Sequence, residues 1–125
     1  MLLAVDTSTT QVGIALYDGT QAQVIGETLW RGKLRHTTTL APEIAALFKR
    51  TNSDMDDVSA LGVALGPGSF TSLRVGLALM KGLAFSRNLP LIGIPTLDIL
   101  AASQPARDFR LATVLQAGRG RLAVG

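Results

Sequence analysis

Ala60-Leu61-Gly62-Val63-Ala64-Leu65-Gly66-Pro67-Gly68-Ser69-Phe70-Thr71-Ser72-Leu73-Arg74-Val75-Gly76 joins an apolar run to a helical pattern through one Gly-Pro-Gly turn. Ala60 to Leu65 is short and uncharged and reads as a buried strand. Gly66 to Phe70 reads as a loop, and Thr71 to Arg87 as a helix. Downstream the rhythm repeats. Leu89 to Ile94 is a strand, Pro95-Thr96 opens a helix to about Ala102, and Arg110 to Leu115 is a further strand. Strands alternating with helices pair in parallel through right-handed crossovers.

Upstream of this stretch the pattern differs. Leu2 to Asp6 is a short apolar run ending in an acid. Gln11 to Tyr17 alternates, with Val12, Ile14 and Leu16 on one face. Asp18-Gly19 marks a turn into a third strand from about Ala22 to Arg31. Connections this tight predict an antiparallel meander. Thr37, Thr38 and Thr39 are N-cap candidates for a helix beginning at Leu40, with Pro42 in its first turn. Leu40, Ile44, Leu47 and Phe48 share one face of that helix, which ends near Arg50. Asn52-Ser53-Asp54 breaks it. Three antiparallel strands, a helix, then β-α-β-α is the order of the ribonuclease-H-like lobe, the repeating half of the actin-like (ASKHA) folds. The expected fold is therefore α/β, with one mixed sheet. No internal repeat, linker or low-complexity tract interrupts 1–125, so a single lobe is expected.

Composition narrows the function. Among 125 residues, 47% are apolar and 17% charged, which excludes a disordered chain. The formal net charge is +3, but no run of basic residues forms an arm for nucleic acid. There is no cysteine, so disulfides, thiolate zinc sites and a cysteine nucleophile are excluded. The beginning of the chain does not read as a signal peptide, and Val58 to Leu73 is interrupted by Gly66-Pro67-Gly68, so no bilayer span is expected.

Two polar clusters attract attention. In Gly66, Gly68, Ser69 and Thr71 a Gly-rich turn opens a helix, whose N–H groups and positive dipole end favour phosphate. The same residues also make an ordinary tight turn with a Ser or Thr cap, and no Walker lysine follows. Asp6-Thr7-Ser8 after the first strand is placed where actin-like folds face nucleotide phosphates, and it equally reads as a local turn. One acid holds Mg²⁺ poorly without substrate phosphates. His36 is the only histidine, so no metal site is expected. Ser69 lacks the G-x-S-x-G setting of a nucleophile.

A third feature is a surface. In Thr71 to Arg87, Leu73, Leu77, Met80 and Ala84 form one stripe. Val75, Leu79, Leu83 and Phe85 fall largely outside it, and Arg74, Lys81 and Arg87 are the charges. A helix apolar around more than one face is covered on more than one side. Gly76, Ala78 and Gly82 would admit a close neighbour. Two readings remain open here: burial against the chain's own sheet and the Leu40 helix, or an interface with a partner.

Met1-Leu2-Leu3-Ala4-Val5-Asp6-Thr7-Ser8-Thr9 resembles the opening of the bacterial TsaB (YeaZ) family. Gly66-Pro67-Gly68-Ser69-Phe70-Thr71-Ser72-Leu73-Arg74-Val75-Gly76, continuing through Lys81-Gly82-Leu83-Ala84, resembles its most distinctive segment. Arg35-His36 leading into a Leu/Pro-containing helix is also similar. The likeness runs from Met1 to about Leu115. It implies a role in forming N6-threonylcarbamoyladenosine at position 37 of tRNA, as a non-catalytic partner of the TsaD-type transferase. TsaE joins that pair, and tRNA is reached only through the complex. The resemblance further implies a cytoplasmic protein that forms homodimers in isolation, with no cofactor of its own. Its nucleotide site is degenerate, at Asp6, Thr7, Ser8, Gly66, Gly68, Ser69 and Thr71. Partners join through the first two helices, here Leu40, Ile44, Leu47, Phe48, Leu73, Arg74, Gly76, Leu77, Met80 and Lys81. The older designation of the family as M22 glycoproteases lacks its metal ligands in this chain. The alternative is an actin-like ATP-binding phosphotransferase lobe.

Two departures stand out. The family runs to two lobes and these residues read as the first, as a truncated product or fragment or with a diverged tail; without the second lobe an interdomain nucleotide cleft is not expected to close. Where the family tends to an Asp-Ala-Arg-Arg-Gly-Glu-Val-Tyr-like segment, this chain reads Gln116-Ala117-Gly118-Arg119-Gly120-Arg121-Leu122-Ala123. Leu122 to Gly125 is expected to be a strand-like stub with nothing to pair with.

Overall fold

Strand β1 (Leu2–Asp6) lies at the centre of a five-stranded sheet of order β3-β2-β1-β4-β5. The computed structural model describes residues 1–31, 36–105, 108, 110–116 and 121–125, with only the backbone for 36–38 and 115–116. β2 (Gln11–Asp18) and β3 (Gln23–Arg31) complete the antiparallel meander, with an irregularity between Leu16 and Tyr17. In the β2–β3 turn the Asp18 carboxylate accepts from the Thr20 hydroxyl at 2.7 Å and the Thr20 N–H at 2.9 Å. These bonds hold its carboxyl below the usual carboxylate range.

The rhythm change at Ala60 is the switch to parallel pairing. β4 (Ala60–Gly66) runs parallel to β1, with Leu3 beside Leu61 and Val5 beside Val63. β5 (Leu91–Pro95) runs parallel to β4. Helix α2 (Phe70–Arg87) is the crossover between them, and α1 (His36–Arg50) connects β3 to β4 by way of a short 3-10 turn at Met55–Asp57. This is the expected mixed sheet of a ribonuclease-H-like lobe.

A period of two places Leu3, Val5, Val12, Ile14, Leu16, Leu61 and Val63 on one sheet face, all buried. Leu40, Ile44, Leu47 and Phe48 of α1 and Met80 of α2 close over them as the core. The opposite face presents small residues, among them Gly13, Ala15 and Gly62. Beside the short α3 (Thr96–Ala102) it leaves a hollow of about 400 Å³. The hydroxyl of Thr96, buried at that border, has no hydrogen-bond partner among the described residues.

Several boundaries differ from expectation. α1 begins at His36, not Leu40, so Thr37, Thr38 and Thr39 lie within the helix and not at the position before it. Pro42 is consequently interior, where its missing N–H removes one intrahelical bond. α2 begins at Phe70. Ser69 is at the N-cap position but makes no side-chain cap bond. The helix stops at Asn88, which takes the left-handed conformation at φ 53. The stub at the end of the sequence does pair: β7 (Leu122–Val124) lies antiparallel to β6 (Val114–Gln116). Thr113 and Gly125 extend that ladder by exchanging N–H···O bonds at 2.8 and 2.9 Å. β6 is shorter than the run from Arg110, because the ladder with β7 reaches back only to Val114 and the Thr113–Gly125 pair.

Candidate docking face and the closed loop pair

The ends of β1 and β4 meet, and they bring the two polar clusters together. Gly66 turns the chain at φ +110, which a side chain would disfavour, and a cis peptide joins it to Pro67. The turn lays Gly68 so closely on Ser8 that a Cβ there would run into the Ser8 carbonyl. The Ser69 N–H donates to that carbonyl at 2.8 Å. The Thr7 hydroxyl donates to the Ser72 carbonyl at 2.6 Å, and Gly76 leaves room for Thr7 against α2. The Asp6 carboxylate accepts from the N–H of Ser8 at 2.9 Å and from its hydroxyl at 2.5 Å.

Asp6, Thr7, Ser8, Gly66, Gly68 and Ser69 are thus gathered at one place, with Thr71 exposed beside them. Their polar groups are largely spent on one another. Thr7 and Ser8 are each 1% exposed, and the Ser8 carbonyl lies where a side chain at Gly68 would go. Asp6 also lines the hollow beside α3, together with Ser8, Thr9 and Glu27. No group of three His, Cys, Asp or Glu able to hold a metal ion occurs among the described residues. The side chain of His36 lies outside them.

The two helices make the other candidate. Leu40, Ile44, Leu47, Phe48 and Met80 are between 0% and 8% exposed, so the structure gives these side chains to the chain's own core. Gly76 is buried as well. It admits Thr7, not a neighbouring helix, and Gly82 has nothing near it. Leu73 and Leu77 are half-buried, while Arg74 and Lys81 are exposed. The reason is the sheet. It demands the most continuous apolar stripe of each helix, and the remaining turn of α2 is left outward.

That outward seam is Phe70, Arg74, Ala78, Lys81 and Phe85, at i, i+4, i+8, i+11 and i+15. This spacing keeps one face of a helix aligned over its length. Phe70 is 72% exposed and Phe85 92%. The Arg74 guanidinium lies 5.2 Å from the centre of the Phe70 ring, a cation–π contact. Beside the seam a groove of about 510 Å³ runs between the helices, floored by Leu40, Val75 and Leu79 and edged by Ala41. The sequence pattern places Phe70 in the loop before the helix and Phe85 among the apolar residues outside its main stripe; the structure joins both to Arg74 and Lys81 on one face. The spacing of these five residues is the signal that would have joined them.

Comparisons with known proteins agree with the fold. The family model described as "TsaD: tRNA N6-adenosine threonylcarbamoyltransferase" matches residues 31–125. The chain is 34% identical to the tRNA threonylcarbamoyladenosine biosynthesis protein TsaB of Bacillus subtilis, over 99% of this chain and 53% of that protein. Among solved structures, YeaZ from Pseudomonas aeruginosa superposes with a TM-score of 0.86 at 30% identity, covering 99% of this chain and 58% of that one. RuvC of T. thermophilus superposes at 0.54 and 11% identity, over 81% of this chain and 68% of its own, a likeness of fold alone. The chain spans about half the length of the curated relatives it matches. Among the described residues no helix is long and apolar enough to cross a membrane.

Proposed function

This chain belongs to the family that the threonylcarbamoyltransferase model describes, in its TsaB (YeaZ) branch, and from that membership we propose that it is a non-catalytic subunit in the formation of N6-threonylcarbamoyladenosine at position 37 of tRNA. It is one lobe, over 1–125, of the two that the family carries. It docks through the outward face of α1 and α2 on a TsaD-type transferase. TsaE joins that pair, the setting is cytoplasmic, and tRNA is met only through the complex. The isolated chain self-associates through the same face.

One observation carries this reading: two aromatic rings stand in solvent at the two ends of a single helical seam, beside an apolar groove. Exposed aromatics around a groove are the anchors from which protein interfaces are built. The closed loop pair supports the non-catalytic part, since its hydroxyls and Asp6 are engaged within it.

The test is titration calorimetry of the chain into a recombinant TsaD-type transferase, with Phe85→Asp as the variant. The expected result is binding by the natural chain and a loss of about tenfold or more in affinity for the variant, with unchanged circular dichroism. A natural chain that gives no heat, or a variant that binds equally well, overturns the docking reading.

A further inference from the structure

The sheet face turned away from α1 and α2 carries the hollow beside α3, and the docking reading makes no use of it. Strand register shows how its floor is laid. Ala4, Ala15 and Glu27 lie side by side across β1, β2 and β3, and Asp6, Gly13 and Leu29 form the next row on the same face. Asp6 and Glu27 thus stand at opposite corners, with Gly13 and Ala15 between them. Two strand spacings across and two residues along put their Cα atoms about 12 Å apart. All six residues line the hollow, and Ile94, Ile99 and Leu100 wall its other side.

Among the described residues no Lys or Arg lines the hollow, and neither acid has an ion pair. Ser8 engages one oxygen of Asp6, Oδ1, and leaves Oδ2 without a hydrogen bond among the described residues. A third polar group is the hydroxyl of Thr96. β4 runs parallel to β1 and β5 to β4, so Thr96, which follows the last residue of β5, lies at the Asp6 end of the sheet. Thr96 lines the hollow and is 1% exposed, and its hydroxyl has no hydrogen-bond partner among the described residues. A buried hydroxyl left unpaired carries a desolvation cost that a ligand's N–H can relieve. Two carboxylates with no cation beside them repel phosphate and attract positive charge. Side chains stand roughly perpendicular to a sheet, so the two carboxylates stay apart and one metal ion does not bridge them. The floor between them is apolar and low, which suits methylenes. We propose that the hollow binds a linear aliphatic ammonium ion of the polyamine class, with one ammonium at Asp6 and Thr96, another at Glu27, and the alkyl chain over Gly13 and Ala15. An ammonium has three donors, so the first end serves the Asp6 carboxylate and the Thr96 hydroxyl together. The site lies across the sheet from the docking seam and does not depend on it.

The experiment is titration calorimetry of the natural chain at low salt with cadaverine and spermidine. Pentylamine is the control, with the alkyl body of cadaverine and a single charge. Both polyamines are expected to bind, cadaverine about tenfold or more tighter than pentylamine, and binding is expected to weaken as salt is raised. Glu27→Gln, at an exposed position, is expected to bring cadaverine down to the affinity of pentylamine. Ala15→Leu fills the floor without touching a charge and is expected to abolish binding. Circular dichroism checks that both variants fold, and Glu27→Gln carries the test by itself if Ala15→Leu does not. Absence of heat with both polyamines overturns the inference. So does polyamine binding that Glu27→Gln leaves unchanged, because the amines would then sit elsewhere, as at Asp54, Asp56 and Asp57 around the 3-10 turn. Pentylamine bound as tightly as cadaverine also overturns it, because the second ammonium would then meet nothing.

Discussion

Gly68, in the turn before α2, and Gly82, inside that helix, have opposite meanings. A Cβ at Gly68 meets the carbonyl of Ser8, whereas a Cβ at Gly82 has nothing within 4 Å. Backbone cannot step aside as a side chain can. Gly68→Ala is therefore expected to cost about 1–3 kcal/mol or more, as overpacking does. Gly82→Ala is expected to stabilise by about 0.5–1 kcal/mol, because alanine fits a helix better than glycine. Urea unfolding of the two variants checks both signs. Equal effects would mean that the Gly-Pro-Gly turn does not press on the β1–β2 loop. In the sequence the two glycines looked alike in kind, each a place where something comes near. What comes near Gly68 lies far away in the chain, and periodicity carries no information about it.

At the scale of the element, α2 shows why its strand-side face was legible and its partner face was not. Met80 is 0% exposed under the sheet and Phe85 is 92% exposed one turn later. Met80→Ala is expected to cost about 2–5 kcal/mol, as large-to-small changes in a packed core do. Phe85→Ala is expected to change stability by no more than about 0.5 kcal/mol and still weaken docking. Chemical denaturation beside the calorimetric titration separates these effects. A large stability loss at Phe85 would place that ring in the fold. The stripe that sequence reading singled out on each helix was the most apolar one available. A sheet with one continuous apolar face takes that stripe first, so Leu40, Ile44, Leu47, Phe48 and Met80 went to the core. The face left for a partner is chemically mixed, two rings, an alanine and two cations, and a search for greasy periodicity passes over it.

Across the whole molecule, order is distributed unevenly between the large sheet and the small one. β1, β2 and β4 lie at or next to its middle, and their inward side chains are nearly all buried. β6 and β7 form only a two-stranded pair, with Val114, Leu122 and Val124 all more than half exposed. A two-stranded pair with little apolar cover opens easily. Amide hydrogen exchange is expected to be slowest in β1, β2 and β4 and fastest in the β6–β7 ladder. Equal protection of the two sheets would mean that β6 and β7 are held by more than their own bonds.

The sequence by itself determined the order and type of the elements, the switch from antiparallel to parallel pairing at Ala60, and the family likeness. Periodicity, turn residues and caps act between near neighbours, so they can be read along the chain. Only the tertiary structure decided that Gly68 closes on Ser8, that Gly76 admits Thr7, that the last strand has a partner, and that Phe70, Arg74, Lys81 and Phe85 face outward together. Those outcomes depend on which distant surfaces compete for burial, and that competition is settled when the sheet and the helices meet.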